Sequence, residues 1–288
     1  MPFLPLGDST PRLRIERPYV SWTLIALCSL IFLVQNGMPR YEDAELIYGL
    51  GVIPAVLTGS AQLSEGLELL PAWATLVSYQ FLHGGWDHLL GNMLFLWVFA
   101  DNVEDCLGHL RFLIFYLLCG VAAALLHVAA DAGAAVPLIG ASGAISGVLG
   151  AYLVLHPFSR LVVILFFIPL VLPAWVLLAG WFAFQFFSAQ SDASPVAWWA
   201  HIGGFAVGAL LVPFFRQSGV PLFASSPPRR ITLRVPRTRS GAAGHGATGE
   251  APTEGGRGPW EKGPWEKGPW EMGPSERGPW ERDGRDER

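Results

Sequence analysis

Trp198-Trp199-Ala200-His201-Ile202-Gly203-Gly204-Phe205-Ala206-Val207-Gly208-Ala209-Leu210-Leu211-Val212-Pro213-Phe214-Phe215 is the stretch that decides how this chain folds. It lies within residues 193–215, which hold no Asp, Glu, Lys or Arg, and about 20 apolar residues suffice to carry a helix across a bilayer. Soluble domains of this size spread their apolar residues in stripes with charge between them. Here charge is missing from five further stretches: 18–39, 88–100, 112–130, 132–159 and 161–191. The shortest reaches spanning length only if Asp101 to Asp105 lie at the membrane boundary. Six crossings follow, and with them an all-α membrane protein, a six-helix bundle embedded in a lipid bilayer.

Working outward, residues 1–17 form a short lead and 18–216 the six-helix domain. Arg12, Arg14 and Arg17 resemble the positive end of a signal peptide, but the apolar segment from Pro18 to Asn36 is too long and lacks a small-x-small cleavage site, so a retained helix is expected. Residues 38–87 mix acids with Leu, Val and Trp, which predicts a loop partly dipping into the interface. A second helix is expected from Trp86–His88 to Asp101–Gly108, with Asp101, Glu104 and Asp105 paired at the surface with Arg111. The fifth is expected from Leu161 to Phe187, kinked at Pro169 and Pro173.

Charge placement sets the expected topology. Seven Lys or Arg residues precede position 221; Arg12, Arg14, Arg17, Arg111, Arg160 and Arg216 fall on one side and only Arg40 on the other. Positive residues collect on the cytoplasmic side, so both termini are expected there, in a bacterial plasma membrane. Cys28, Cys106 and Cys119 lie in or beside helices and suggest packing, not a disulfide framework. Residues 217–288 read as a disordered tail: Gly-Pro-Trp-Glu-Lys at 258 and 263 is followed by variants at 268, 273 and 278, and Gly-Pro every five residues prevents helix or sheet. The tail's partner is left open, and no nucleic-acid partner is expected.

Polar side chains inside membrane helices are costly, so each invites a functional question. His201 shares a helix face with Gly204 and Gly208. Ser142 sits in Gly140-Ala141-Ser142-Gly143-Ala144-Ile145-Ser146-Gly147, where Gly143 and Gly147 form a second small-xxx-small face. If the two glycine faces pack together, Ser142 and His201 meet near the same ends of their helices. From Ser142 to Pro157 the helix measures about 24 Å, shorter than a hydrocarbon core of about 30 Å, so Ser142 is expected below the membrane surface in a water-entered pocket. A serine needs an adjacent base to become a nucleophile, and a histidine in hydrogen-bond reach supplies one. Acyl transfer also needs donors for the developing oxyanion; His88 and Asn92, four apart on one helix face, suit that role beside the Ser142 backbone N–H. Position 144 is Ala, which excludes the Gly-x-Ser-x-Gly elbow. The absence of His-Glu-x-x-His argues against a zinc protease.

The run Phe81-Leu82-His83-Gly84-Gly85-Trp86-Asp87-His88-Leu89-Leu90-Gly91-Asn92 resembles the second-helix signature of rhomboid proteases. Asn102-Val103-Glu104-Asp105, Gly140-Ala141-Ser142-Gly143 and Ala200-His201-Ile202-Gly203-Gly204 follow in that family's order, and the resemblance covers roughly residues 15–216. It implies a Ser–His dyad without an acidic third member: Ser142 as nucleophile, His201 as general base, His88 and Asn92 on the oxyanion side, and His83 as a motif histidine. It also implies single-span membrane proteins as substrates, with small residues at the cut and an easily unwound helix, and no cofactor or metal. Two departures stand out. Some members carry a tyrosine, stacked on the histidine, where this chain has Ser146, which leaves open what orients the His201 ring, and the Trp-Arg pair that some members carry in the first loop is missing. Two competing readings are a rhomboid-like protein that binds or escorts membrane helices without cutting them, and a transporter using His88, Asn92 and His201 as a polar path. The second lacks the interrupted repeats and membrane-centred charge it would call for.

Overall fold

The computed structural model describes residues 3–165, 167–189 and 197–224. In chain order the elements are β1 (Phe3–Asp8), α1 (Tyr19–Gly37), α2 (Arg40–Leu50), α3 (Pro54–Leu57), α4 (Thr75–Ser78) with a following 3₁₀ turn, α5 (Trp86–Leu107), α6 (His109–Ala130), α7 (Ser142–Leu155), β2 (Arg160–Leu165), β3 (Ile168–Pro173), α8 (Ala174–Ser188) and α9 (Trp198–Phe215). Among the described residues, three helices are long and apolar enough to cross a membrane: α1, α6 and α9. Helices α7 and α8 are apolar but shorter, and α5 carries Asp101, Glu104 and Asp105 near its C-terminal end.

Helix α7 is the central one. Eleven of its 14 residues are buried, the pattern of a helix enclosed on all sides, and α5, α6, α8 and α9 all pack on it. Small residues make this enclosure possible. A methyl group on Gly204 would lie 2.0 Å from the Gly143 carbonyl oxygen, and one on Gly208 2.0 Å from that of Gly147. Helix α9 therefore rides directly on the α7 backbone. The missing side chains of Gly143 and Gly147 face the other way, into α6, where added methyls would meet Ala123 and Cys119 at 2.7 and 2.4 Å. Gly150 continues the α9 contact, with a methyl there 2.1 Å from the Phe205 carbonyl. The glycine face of α9 thus meets the α7 backbone at Gly143 and Gly147, whose own open faces turn to α6 instead of to α9 as expected, so α7 is wedged between two helices at once.

The stretch expected as one kinked helix over Leu161–Phe187 folds otherwise. Its first part is the β2–β3 hairpin, and only Ala174–Ser188 is helical. Strand β1 pairs antiparallel with β2, from Phe3 opposite Leu165 to Asp8 opposite Leu161, making a sheet of order β1-β2-β3. The reason is local. Two prolines inside one helix would each remove a hydrogen bond and clash with the preceding turn, whereas Pro169 and Pro173 sit on β3, an edge strand, where a missing N–H is tolerated. The β-branched run Val162-Val163-Ile164 suits a strand. The fold is thus mostly helical with a small sheet, not all-α, and Phe3–Asp8 of the expected lead forms one of its strands.

Of the acids at the end of α5, half-buried Asp101 pairs with Arg12 at 3.3 Å, but Glu104 and Asp105 are not surface groups. Asp105 accepts the backbone N–H groups of Leu13, Arg14 and Ile15 at 3.0, 2.7 and 2.7 Å. Glu104, fully buried, accepts from the N–H groups of Val20 and Ser21 and from the Ser21 hydroxyl at 3.0, 2.8 and 2.6 Å. It meets His109 as well. A carboxylate at the first turn of α1 satisfies donors that have no intrahelical partner and complements the helix dipole. Arg111, the partner expected for these acids, instead donates to the Arg216 carbonyl. Asp105→Ala removes the acceptor of three backbone N–H groups; at about 1 kcal/mol each it is expected to lower the thermal unfolding midpoint, with Asp105→Asn intermediate, as read by circular dichroism in detergent.

Residues 217–224 pack on the bundle: Gln217 N–H donates to the Cys106 carbonyl, and the N–H groups of Phe223 and Ala224 donate to Val154 and Leu155. Residues 217–224 are therefore not part of a disordered tail as expected, and the Gly-Pro-Trp-Glu repeats lie outside the described residues. Between α1 and α5 the expected dipping loop holds three short helices. It is tied to the segment before α7 by reciprocal Val52–Leu138 backbone bonds and by Gly140 N–H donating to Tyr79 O at 2.9 Å.

Candidate active site

Ser142 is the first residue of α7 and His201 lies in the first turn of α9. Because the glycines set α9 on the α7 backbone, these two turns lie side by side, and His201 Nε2 is 2.9 Å from Ser142 Oγ. The histidine is buried, while the serine is half-buried. Ser142 N–H belongs to the first turn of α7, where backbone donors have no intrahelical acceptor.

Gly140 shapes the approach to Ser142. Its φ of +114° is left-handed, a conformation that side chains rarely adopt. A methyl there would lie 2.6 and 2.7 Å from His88 Cε1 and Nε2, and 3.7 Å from Asn92 Nδ2. His88 and Asn92, one turn apart on α5, thus both face the backbone two residues ahead of Ser142. Gly84 N–H donates weakly to His88 Nδ1, at 3.4 Å, which leaves the His88 proton on Nε2, the atom next to Gly140. Asn92 Nδ2 is buried and finds no acceptor among the described residues. A buried amide N–H without a partner is costly, and its position beside Gly140 is where a carbonyl oxygen of a bound chain could accept from it. His83 is buried and its ring meets His88 edge-on, with centroids 5.2 Å apart. Burial first, and His88 second, push the His83 imidazole down to about 4, so it is neutral at physiological pH and packs behind His88.

What orients the His201 ring is answered on α8. Gln185 Oε1 lies 2.8 Å from His201 Nδ1, and Gln185 is itself buried. Trp181, one turn earlier on the same face, lies 6.1 Å from the imidazole at a 34° tilt. Trp198, three residues before His201 on α9 itself, meets the ring edge-on at 6.2 Å. Ser146, which occupies the place of the stacked tyrosine, turns its hydroxyl back to the Ser142 carbonyl at 2.7 Å. Sequence reading overlooked Gln185, though a signal existed: it is one of two amides, with Gln190, in the uncharged stretch 161–191, and an intramembrane polar group asks for a partner. Among the described residues no group of three or more His, Cys, Asp or Glu side chains could hold a metal ion.

A rhomboid domain model matches residues 71–218, just over half of the chain, and this span contains all the residues above. Rhomboid protein 1, mitochondrial, of Saccharomyces cerevisiae is 30% identical over 186 residues, covering 59% of this chain and 53% of the yeast protein. Rhomboid protease GluP of Bacillus subtilis is 33% identical over 137 residues, covering 48% and 24%. Rhomboid-like protein 11, chloroplastic, of Arabidopsis thaliana is 39% identical over 77 residues, 27% of each chain. The chain thus spans about half the length of the yeast relative and about a quarter of the other two. Relatives named for mitochondria and chloroplasts stand beside a bacterial one, so family membership does not select the bacterial plasma membrane that the sequence suggested. With the domain model covering the whole serine–histidine neighbourhood, this chain belongs to the rhomboid family of membrane proteins.

Proposed function

We propose that this protein is an intramembrane serine endopeptidase that cuts membrane proteins within or near their spanning segments. One observation carries the reading: the 2.9 Å contact between His201 Nε2 and Ser142 Oγ at the start of two helices packed through glycine. In the reaction, His201 Nε2 takes the hydroxyl proton as Ser142 Oγ attacks the scissile carbonyl carbon. The negative charge that develops on the carbonyl oxygen is met by the Asn92 amide, His88 Nε2–H and the Ser142 backbone N–H. His201 then gives its proton to the leaving amine, and the resulting acyl-serine is hydrolysed by a water that His201 deprotonates. His83 acts through His88, whose ring it backs. The chemistry uses no metal or cofactor.

The proposed architecture is a six-span domain over 18–216, with α5, α7 and α8 crossing beside the three longer helices, and a tail after it. Helix α7 has 14 residues, about 21 Å, so it starts below one face of a core about 30 Å thick, and Ser142 is recessed in a pocket open to water. Arg12, Arg14, Arg111 and Arg216 gather at the opposite end, around the α5–α6 junction. The positive-inside rule then directs that end to the cytoplasm or the compartment equivalent to it. Substrates are single-span proteins with small residues at the cut and a helix that unwinds readily.

Cleavage of a model single-span substrate by the protein reconstituted in lipid vesicles tests this reading, with a fluorophosphonate probe reporting on Ser142 in parallel. Product formation and labelling, both lost with Ser142→Ala, are expected; a wild type that neither cuts nor labels counts against it. Asn92→Ala is expected to lower kcat by about 10²- to 10³-fold, the effect of removing one oxyanion donor, with KM little changed. A fall in kcat of less than about threefold removes Asn92 from that role.

A further inference from the structure

We propose that Gln185 is a positioning residue for His201, holding the imidazole in the one tautomer that can accept a proton from Ser142. The inference rests on the serine–histidine reading above and adds to it a third member carried by α8. Neutral imidazole has one N–H and one lone pair. Only the tautomer with hydrogen on Nδ1 turns a lone pair from Nε2 toward the Ser142 hydroxyl, 2.9 Å away. The Gln185 carbonyl oxygen, 2.8 Å from Nδ1, accepts that N–H and so selects this tautomer. The other tautomer would present an N–H to the serine and an unsatisfied lone pair to Gln185.

The surroundings explain why the partner is an amide. Gln185 is 2% exposed and His201 7%, and Trp181 and Trp198 flank the ring. A carboxyl group enclosed here would be held protonated by burial and could still accept the N–H through its carbonyl oxygen, at a desolvation cost to stability. The amide is neutral before the reaction, and its carbonyl dipole faces the positive charge that His201 acquires after taking the serine proton. The indoles restrict the ring's tilt but cannot tell one nitrogen from the other. Ser146 contributes nothing to this choice, since its hydroxyl is engaged with the Ser142 carbonyl. Gln185 is 16 positions from His201 and on a different helix, so the position of α8 along the bundle determines whether the base is correctly oriented.

The test compares Gln185→Met, which keeps length and volume without the carbonyl acceptor, with Gln185→Glu, which keeps an acceptor oxygen at the same reach. Both are made in the full chain, reconstituted in lipid vesicles, and assayed on a model single-span substrate, with thermal midpoints measured alongside. The expected result is a kcat roughly 10- to 100-fold lower for Gln185→Met, with KM within about twofold of wild type, and recovery by Gln185→Glu to within a few-fold. Fluorophosphonate labelling of Ser142 is expected to slow in parallel. Wild-type kcat in Gln185→Met, or a Gln185→Glu as slow as Gln185→Met, overturns the positioning role while leaving the Ser142–His201 reading intact. A wild type whose cleavage persists in Ser142→Ala overturns both.

Discussion

Ser142→Ala and His201→Ala are each expected to reduce cleavage of a single-span substrate by at least about 10⁴-fold, and the double variant to be no worse than either single one. The nucleophile and its base act as one unit: without the imidazole the serine keeps its proton, and without the hydroxyl the imidazole has nothing to activate. Losses within such a unit do not add. The 2.9 Å contact between Nε2 and Oγ makes the coupling direct. Residual activity would come from whatever the oxyanion donors contribute by binding alone. The measurement is product formation from equal amounts of folded protein in lipid vesicles. Cleavage that survives Ser142→Ala would sink the mechanism, and an additive double variant would show that the two side chains do not work together.

Gly208→Leu is expected to abolish the folded bundle, and Gly208→Ala to cost about 3 kcal/mol, near the upper end for overpacking a dense interior. An added carbon at 208 would fall 2.0 Å from a backbone carbonyl, that of Gly147, and not from the end of a yielding side chain. Helix α9 would have to move away from α7, and His201, one face of the same helix, would leave Ser142. Gly180 is the control: it lies in α8 with no atom within 4 Å of an added methyl. Gly180→Ala is expected to be neutral or to stabilise by up to about 1 kcal/mol through helix propensity. Thermal unfolding of the three variants in detergent separates these outcomes. Equal midpoints for Gly208→Ala and Gly180→Ala would mean that α7 and α9 are not in backbone contact.

Some residues spoke for themselves. An uncharged run next to Arg111 or ending at Arg216 reports a membrane helix because burying charge in hydrocarbon is costly wherever the chain goes. Gly204 and Gly208 beside His201, and Gly143 beside Ser142, report close helix approach because small residues at i and i+4 leave a groove regardless of what fills it. Asp105 and Glu104 were misread because acids near Arg111 look like surface pairs. Their partners are backbone N–H groups of residues 13–15, 20 and 21, and a backbone donor has no signature in the sequence. Residues 161–173 were misread because apolar content alone does not distinguish helix from strand, and two prolines that a longer helix would have had to absorb are at ease on a strand edge.

The sequence by itself determined that the chain lives in a membrane, that glycines mark close helix approach, and that Ser142 and His201 each lie at the start of an apolar stretch. Those features depend on local chemistry and on spacing along one helix. Only the tertiary structure decided that Gln185 meets His201 Nδ1, that Asn92 Nδ2 and His88 Nε2 converge on Gly140, and that the first strand closes a sheet with the hairpin before α8. Each of these joins residues on different elements, and such a meeting is set by the relative depth and rotation of packed elements, which no single stretch of sequence encodes.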